Sequence, residues 1–144
     1  MITVTKLSEA SEHGIQDINH LLTQLREDAT EHAGSITDLK KIVADPNVAL
    51  IVAKDDERVI GMATLYMITK FAKRTAHVED VVVDSGYRGQ GLGQKVMEVL
   101  IQTARDEGVK TVHLTSRPER VAGNKLYQKL GFQKKETNVY SLKL

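Results

Sequence analysis

The 144-residue chain has no cysteine, no tryptophan, two phenylalanines and two prolines, and its charge has almost no sign, with 20 Lys and Arg against 19 Asp and Glu. Each shortage removes something. Without cysteine there are no disulfides, no thiolate metal ligands and no cysteine nucleophile. With charge balanced, no global field draws the chain to nucleic acid or an anionic membrane, so an anionic ligand must be caught locally. With so few large aromatics, an aromatic cage for a cationic ligand is not expected. No apolar run reaches the ~18 residues that span a bilayer, and the N-terminal "MITVTKLSEASEHG" turns polar within a few residues, so the expectation is a cytoplasmic protein with no membrane partner. His13, His20 and His32 are spaced too loosely for a shared metal, and none is expected.

What is present is enough for one core: 41% of the residues are apolar, which suits a single domain over residues 1–144. Alternation in "ITVTKL" predicts a strand from Ile2 to Leu7. Ile15, Ile18, Leu21, Leu22 and Leu25 recur at helical spacing behind Ser11, a suitable N-cap, and a second helix is expected from Ser35 to Ala44, stopped by "DPN". "VALIVAKDDERVIGMATLYMI" reads as a hairpin turning at Asp55 to Arg58, and "TAHVEDVVVD" as a third strand whose apolar run suggests a central position buried on both faces. A helix from Gln90 to Glu107, a strand "TVHLTS", a helix from Pro118 to Leu130 and one or two strands in "GFQKKETNVYSLKL" complete the chain. The order implies an α/β fold, a mixed sheet with helices on both faces. The unit "VEDVVVDSGYRGQGLGQKVMEVLIQTARDEGVKTVHLTS" should form a right-handed parallel crossover.

At the turn of that crossover stand Gly89, Gly91 and Gly93, poor helix formers placed where a helix should begin. The first amides of a helix lack internal partners and, with the helix dipole, favour phosphate oxygens; glycine admits conformations closed to other residues and leaves no Cβ in a ligand's way. The spacing G-x-G-x-G is not the G-x-G-x-x-G of dinucleotide sites, and Gln94 and Lys95 after the last glycine are not the G-K-[ST] of a P-loop. From the glycines alone, a tight turn with no ligand stays open beside an anion cradle.

"VVVDSGYRGQGLG" resembles the acetyl-CoA loop of the GNAT superfamily of N-acetyltransferases, [RQ]-x-x-G-x-[GA], and "NKLYQKLGF" is similar to that superfamily's later helix and its exit. The resemblance covers nearly the whole chain. It implies a mostly antiparallel sheet with a parallel splay between the strands flanking the loop helix. It implies acetyl-CoA as co-substrate, its diphosphate on the backbone N–H groups of Gln90, Gly91, Leu92 and Gly93, with Arg88 and Gly89 also in the cofactor-binding loop, and its pantetheine arm along Val81, Val82 and Val83. Tyr127 matches the residue that often protonates the departing thiolate, and Glu79 the carboxylate found near the acceptor amine in some members. The later helix departs from the family at Arg120 and Gly123, where Asn and Ala are frequent, and Asn124 stands one turn nearer as a cofactor-binding candidate.

Acetyl transfer to an amine requires a neutral amine, a stabilised oxyanion and a protonated leaving group. On an evenly alternating strand Glu79 would share a face with His77, Val81 and Val83, with Asp80 opposite, and a main-chain N–H near Val81 would meet the oxyanion. Lys95, Arg117 and Lys125 could reach CoA phosphates. The reading is an enzyme that acetylates a small-molecule amine, with a homodimer as its possible assembly. Acetylation of a peptide N-terminus or protein lysine, and a sensor that binds acyl-CoA without turnover, are the alternatives. The acceptor should be shaped by the first two helices, the hairpin and "ETNVYSL".

Overall fold

A computed structural model describes residues 1–144. Its elements, in chain order, are β1 (Ile2–Lys6), α1 (Glu12–Leu25), α2 (Ile36–Ala44), β2 (Val48–Asp55), β3 (Arg58–Thr69), β4 (Arg74–Val83), α3 (Leu92–Asp106), β5 (Thr111–His113) and α4 (Val121–Lys129), with a short 3₁₀ turn at Ser85–Tyr87. The five strands lie in the order β1-β2-β3-β4-β5. All neighbours are antiparallel except β4 and β5, which are parallel.

Two local signals start the first helices. The Ser11 hydroxyl accepts from the Gly14 N–H at 3.0 Å, and Ser35 and Asp38 form a reciprocal capping box. Alternation on β2 then sends Ala49, Ile51 and Ala53 to one face and Leu50 and Val52 to the other. The first face packs against Leu92, Val96, Met97, Leu100 and Ala104 of α3, the second against Ile15, Ile18 and Leu21 of α1 and Leu39 of α2. The expected mixed sheet covered on both faces is thus formed.

Several expectations change in detail. The strands buried on both faces are β2, from Val48 to Ala53, and β3, from Val59 to Leu65, whereas β4 is open at its middle, with Glu79 exposed. The last helix begins at Val121 rather than Pro118, because residues 117–120 close a turn in which the Arg120 N–H donates to the Arg117 carbonyl and Pro118 takes the position where its fixed φ is favoured. The strand in "TVHLTS" shortens to three residues, and the expected terminal strands do not form. A strand needs a neighbour's backbone for its hydrogen bonds, and the short β5 edge offers too little of it. No helix is long and apolar enough to cross a membrane.

Candidate active site

Pairing of β4 with β5 runs through Thr75–Thr111, Ala76–Val112 and His77–His113 and then stops. Beyond His77 the chain of β5 diverges, and residues 78–83 of β4 face a cleft of about 1130 Å³. Its walls are the β4 edge, the glycine turn, residues 114–117, α4, and Gln24, Leu25 and Arg26 at the end of α1. Here β4 also carries a bulge. Met62 pairs with Val82 and Thr64 with Glu79, so Asp80 and Val81 together oppose Ala63, and Asp80 takes a left-handed φ of 54°.

The bulge overturns the expected face. Val81 and Val83 pack with Ala76 and Val78 on the α3 side, while Val82 joins the α1 side. An extra residue reverses alternation, so Glu79 does not share a face with Val81 and Val83.

The glycines divide into two kinds. Gly89 and Gly91 have φ of 80° and 76°, and a Cβ at either would meet nothing within 4 Å, so they are there for backbone shape in open space. Gly91 is the N-cap of α3, which therefore starts at Leu92 and not at Gln90. A Cβ at Gly93 would lie 3.4 Å from Leu126, so this glycine lets α3 approach α4 closely. The first α3 bond runs from the Lys95 N–H to the Gly91 carbonyl at 3.2 Å, leaving the amides of Leu92, Gly93 and Gln94 without helical partners. Arg88 Nε donates to the Val83 carbonyl at 3.0 Å, which ties the turn to the strand end. Arg88, Arg117 and Lys125 line the cleft; Lys95 lies instead in a groove between β1 and α3, and Gln90 lies outside the lining.

Tyr127 and Glu79 both line the cleft. The Tyr127 ring meets Phe132 edge-on at 6.0 Å and passes over Gly123, where an added Cβ would be 3.9 Å from the hydroxyl. Burial pushes its phenol above the ordinary value, and the Arg120 guanidinium works against that rise. Glu79, half exposed, lies 3.1 Å from His77 Nε2. Burial and the carboxylates of Asp80 and Glu79 likewise raise the neighbouring Tyr66 phenol. The Asn124 amide donates to the carbonyls of Arg117 and Arg120, both at 2.9 Å, and Asn124 is not part of the cleft lining.

Long-range contacts not read from the sequence hold the end of α1 against the cleft. Gln24 Nε2 donates to the buried Asp84 at 2.7 Å while its carbonyl oxygen accepts from the Ser85 N–H at 2.8 Å, fastening α1 to the end of β4. Arg120 Nη2 donates to the Leu25 carbonyl at 3.0 Å. Of the regions expected to shape the acceptor, the end of α1 and Val139 of the C-terminal segment line the cleft; α2 and the hairpin turn do not.

Comparison with known proteins agrees with this architecture. The sequence model of the Acetyltransferase (GNAT) family matches residues 15–132. A probable glucosamine 6-phosphate N-acetyltransferase of Oryza sativa subsp. japonica is 35% identical over 113 residues, 74% of this chain and 66% of that protein. A glucosamine 6-phosphate N-acetyltransferase of Trypanosoma brucei brucei is 38% identical over 82 residues, 55% of this chain and 54% of the relative. The chain thus spans between about half and two thirds of these relatives' lengths. Among solved structures, an acetyltransferase of Trypanosoma brucei superposes with a TM-score of 0.78 at 28% identity, covering 100% of both chains. The chain belongs to the GNAT acetyltransferase family.

Proposed function

We propose, from that membership and the geometry of the split sheet, that the protein transfers an acetyl group from acetyl-CoA directly to a primary amine of a small molecule. The observation that carries the reading is the unpaired β4 edge, which leads from the left-handed glycine turn into a cleft also lined by Glu79 and Tyr127.

The residues suit acetyl-CoA. The glycine turn leaves open space beside free helix amides, so the backbone of Gly89 to Gly93 with Arg88 would hold the diphosphate. The free edge at Val81 to Val83 offers main-chain groups to an amide-bearing arm, as an added strand would. Bound there, the co-substrate supplies an activated acyl group and a thiol leaving group.

Glu79 takes the amine's proton, directly or through water, because an alkylamine with a pKa near ~10.4 is mostly protonated at neutral pH. His77, 3.1 Å away, orients that carboxylate. A main-chain N–H at the bulge, near Val81, meets the oxyanion. The C–N bond forms first and the nitrogen of the tetrahedral adduct sheds its second proton to solvent; Tyr127 then gives its proton to the sulfur as the C–S bond breaks, and solvent reprotonates the phenol and takes up the proton held by Glu79. The route needs no covalent enzyme intermediate, and with no cysteine in the chain the amine itself is the nucleophile.

Arg26 at the acceptor end of the cleft suits an anionic amine, and glucosamine 6-phosphate, named for the rice and trypanosome relatives, heads the acceptors to try. A homodimer forms part of the reading, supported by the exposed Val139, Tyr140, Leu142 and Leu144 of the C-terminal segment. Thiol release from acetyl-CoA with a panel of amines tests the function. Amine-dependent release together with an acetylated product is expected; tight CoA binding with no release for any amine would establish a sensor instead.

A further inference from the structure

Helix α4 carries the residue assigned to the leaving group, yet none of its nine residues is fully buried. Its apolar side, Leu126 and Tyr127, leans on the core beneath α3. At its C-terminal end Lys129 Nζ donates to Gln94 Oε1 of α3 at 2.8 Å. Its N-terminal end has no side-chain cap and no acidic residue in the first turn. Within the helix the Asn124 amide ties the first turn to the Arg117 and Arg120 carbonyls, and what joins that end to α1 is Arg120, the N-cap residue, whose guanidinium donates to the carbonyl of Leu25, the last residue of α1.

The contact suits both partners. The last carbonyls of a helix lack internal donors and carry the negative end of its dipole, and α1 has no basic residue in its own last turn. Arg26, the C-cap residue, already stands at that end, and Arg120 adds a charged donor to the Leu25 carbonyl from 95 residues away. Arg120, Gly123 and Tyr127 are spaced i, i+3 and i+7, so they follow one face of α4, and the Tyr127 ring lies back over Gly123 toward the helix start.

We propose that Arg120 is a positioning residue for the acyl transfer: by clasping the end of α1 it fixes the start of α4, and with it where the Tyr127 hydroxyl stands in the cleft. The inference rests on the acetyl-transfer reading and on Tyr127 as the proton donor. The Arg120 guanidinium also opposes the rise in the Tyr127 pKa, which places its charge within electrostatic reach of the phenol. Because Arg120 is exposed, its replacement leaves both cores untouched.

A double-mutant cycle on the full chain tests this, with acetyl-CoA and the best acceptor of the amine panel. Arg120→Ala should lower kcat about tenfold, part of the ~10² expected from losing the phenol, with KM for acetyl-CoA and for the acceptor changed less than about twofold. In the Tyr127→Phe background the same substitution should have no further effect, because the group it positions is gone. Arg120→Lys, which keeps the charge but not the planar fork, should recover part of kcat. A rise in KM for acetyl-CoA or for the acceptor without loss of kcat would make Arg120 a ligand contact and overturn the proposal, as would an additive loss in the double variant. Equal turnover of the unmodified protein and Tyr127→Phe would remove the proton donor as well, and is recognisable by the single variant alone.

Discussion

A phenol partly withdrawn from water holds its proton more tightly than one fully in it, and the half-buried Tyr127 is in that state. For a proton donor the sign is favourable: the working form is the neutral one, and it persists past the ordinary tyrosine value of ~10. Turnover should therefore show no alkaline loss from Tyr127 between about pH 7 and 9. Tyr127→Phe should lower kcat roughly 10²-fold while leaving CoA affinity near its original value. Steady-state kinetics and calorimetric titration of CoA check the two halves; full kcat in the Phe variant would make Tyr127 a packing residue. Asp80 presents a different demand. Its φ of 54° is left-handed, a region that Asp tolerates and β-branched residues resist. Asp80→Val should destabilise the fold by about 2 kcal/mol, and Asp80→Gly should stay within about 0.5 kcal/mol of the original protein. Equal urea midpoints for the two variants would show that the bulge stores no such strain.

At the level of elements, the glycine turn is both a helix cap and the expected phosphate cradle. Gly91→Val places a branched side chain at φ 76°, on the open side of the turn, so the acetyl-CoA-dependent rise in melting temperature should disappear while the domain remains folded. Unchanged CoA affinity would leave the turn a structural feature only. This turn, the cap Ser11 and the hairpin were all legible in the sequence because each is a local signal, decided within a few residues; Ser35 was read as the first residue of α2 and is its cap. The bulge was not: one extra residue at Asp80 and Val81 leaves the run "HVEDVVV" looking evenly alternating, and only pairing with Ala63 reveals the reversal. "NVYSL" failed in the opposite way. It has the alternation of a strand, but strand formation depends on a partner edge that the sequence does not display. The candidate site follows the same division. Glu79, Tyr127 and the glycines were found by motif, whereas Gln24 with Asp84 and Arg120 with Leu25, joined across 60 and 95 residues, leave no pattern to find.

For the whole molecule, the C-terminal segment is the part least accounted for by a single copy. Val139, Tyr140 and Leu142 are 72%, 87% and 84% exposed, an apolar run that a soluble monomer rarely leaves to water. Sedimentation velocity at micromolar concentration should show a dimer, and replacing these three residues with serine should yield a monomer with unchanged far-UV circular dichroism. A monomer before substitution would refute the assembly. The fold also keeps its two cores on opposite sides of one sheet, while the parallel join of β4 to β5 is only three residue pairs long. That short join gives the molecule a built-in reporter. Past His77, the amide protons of β4 that do not pair with β3 face the cleft and should exchange with deuterium from solvent, while those in the β3 ladder should be retained. A bound arm that pairs with the edge slows only the first set. The footprint of the co-substrate can then be read one amide at a time on the unlabelled protein, and the point where protection ends marks how deep the acyl group reaches.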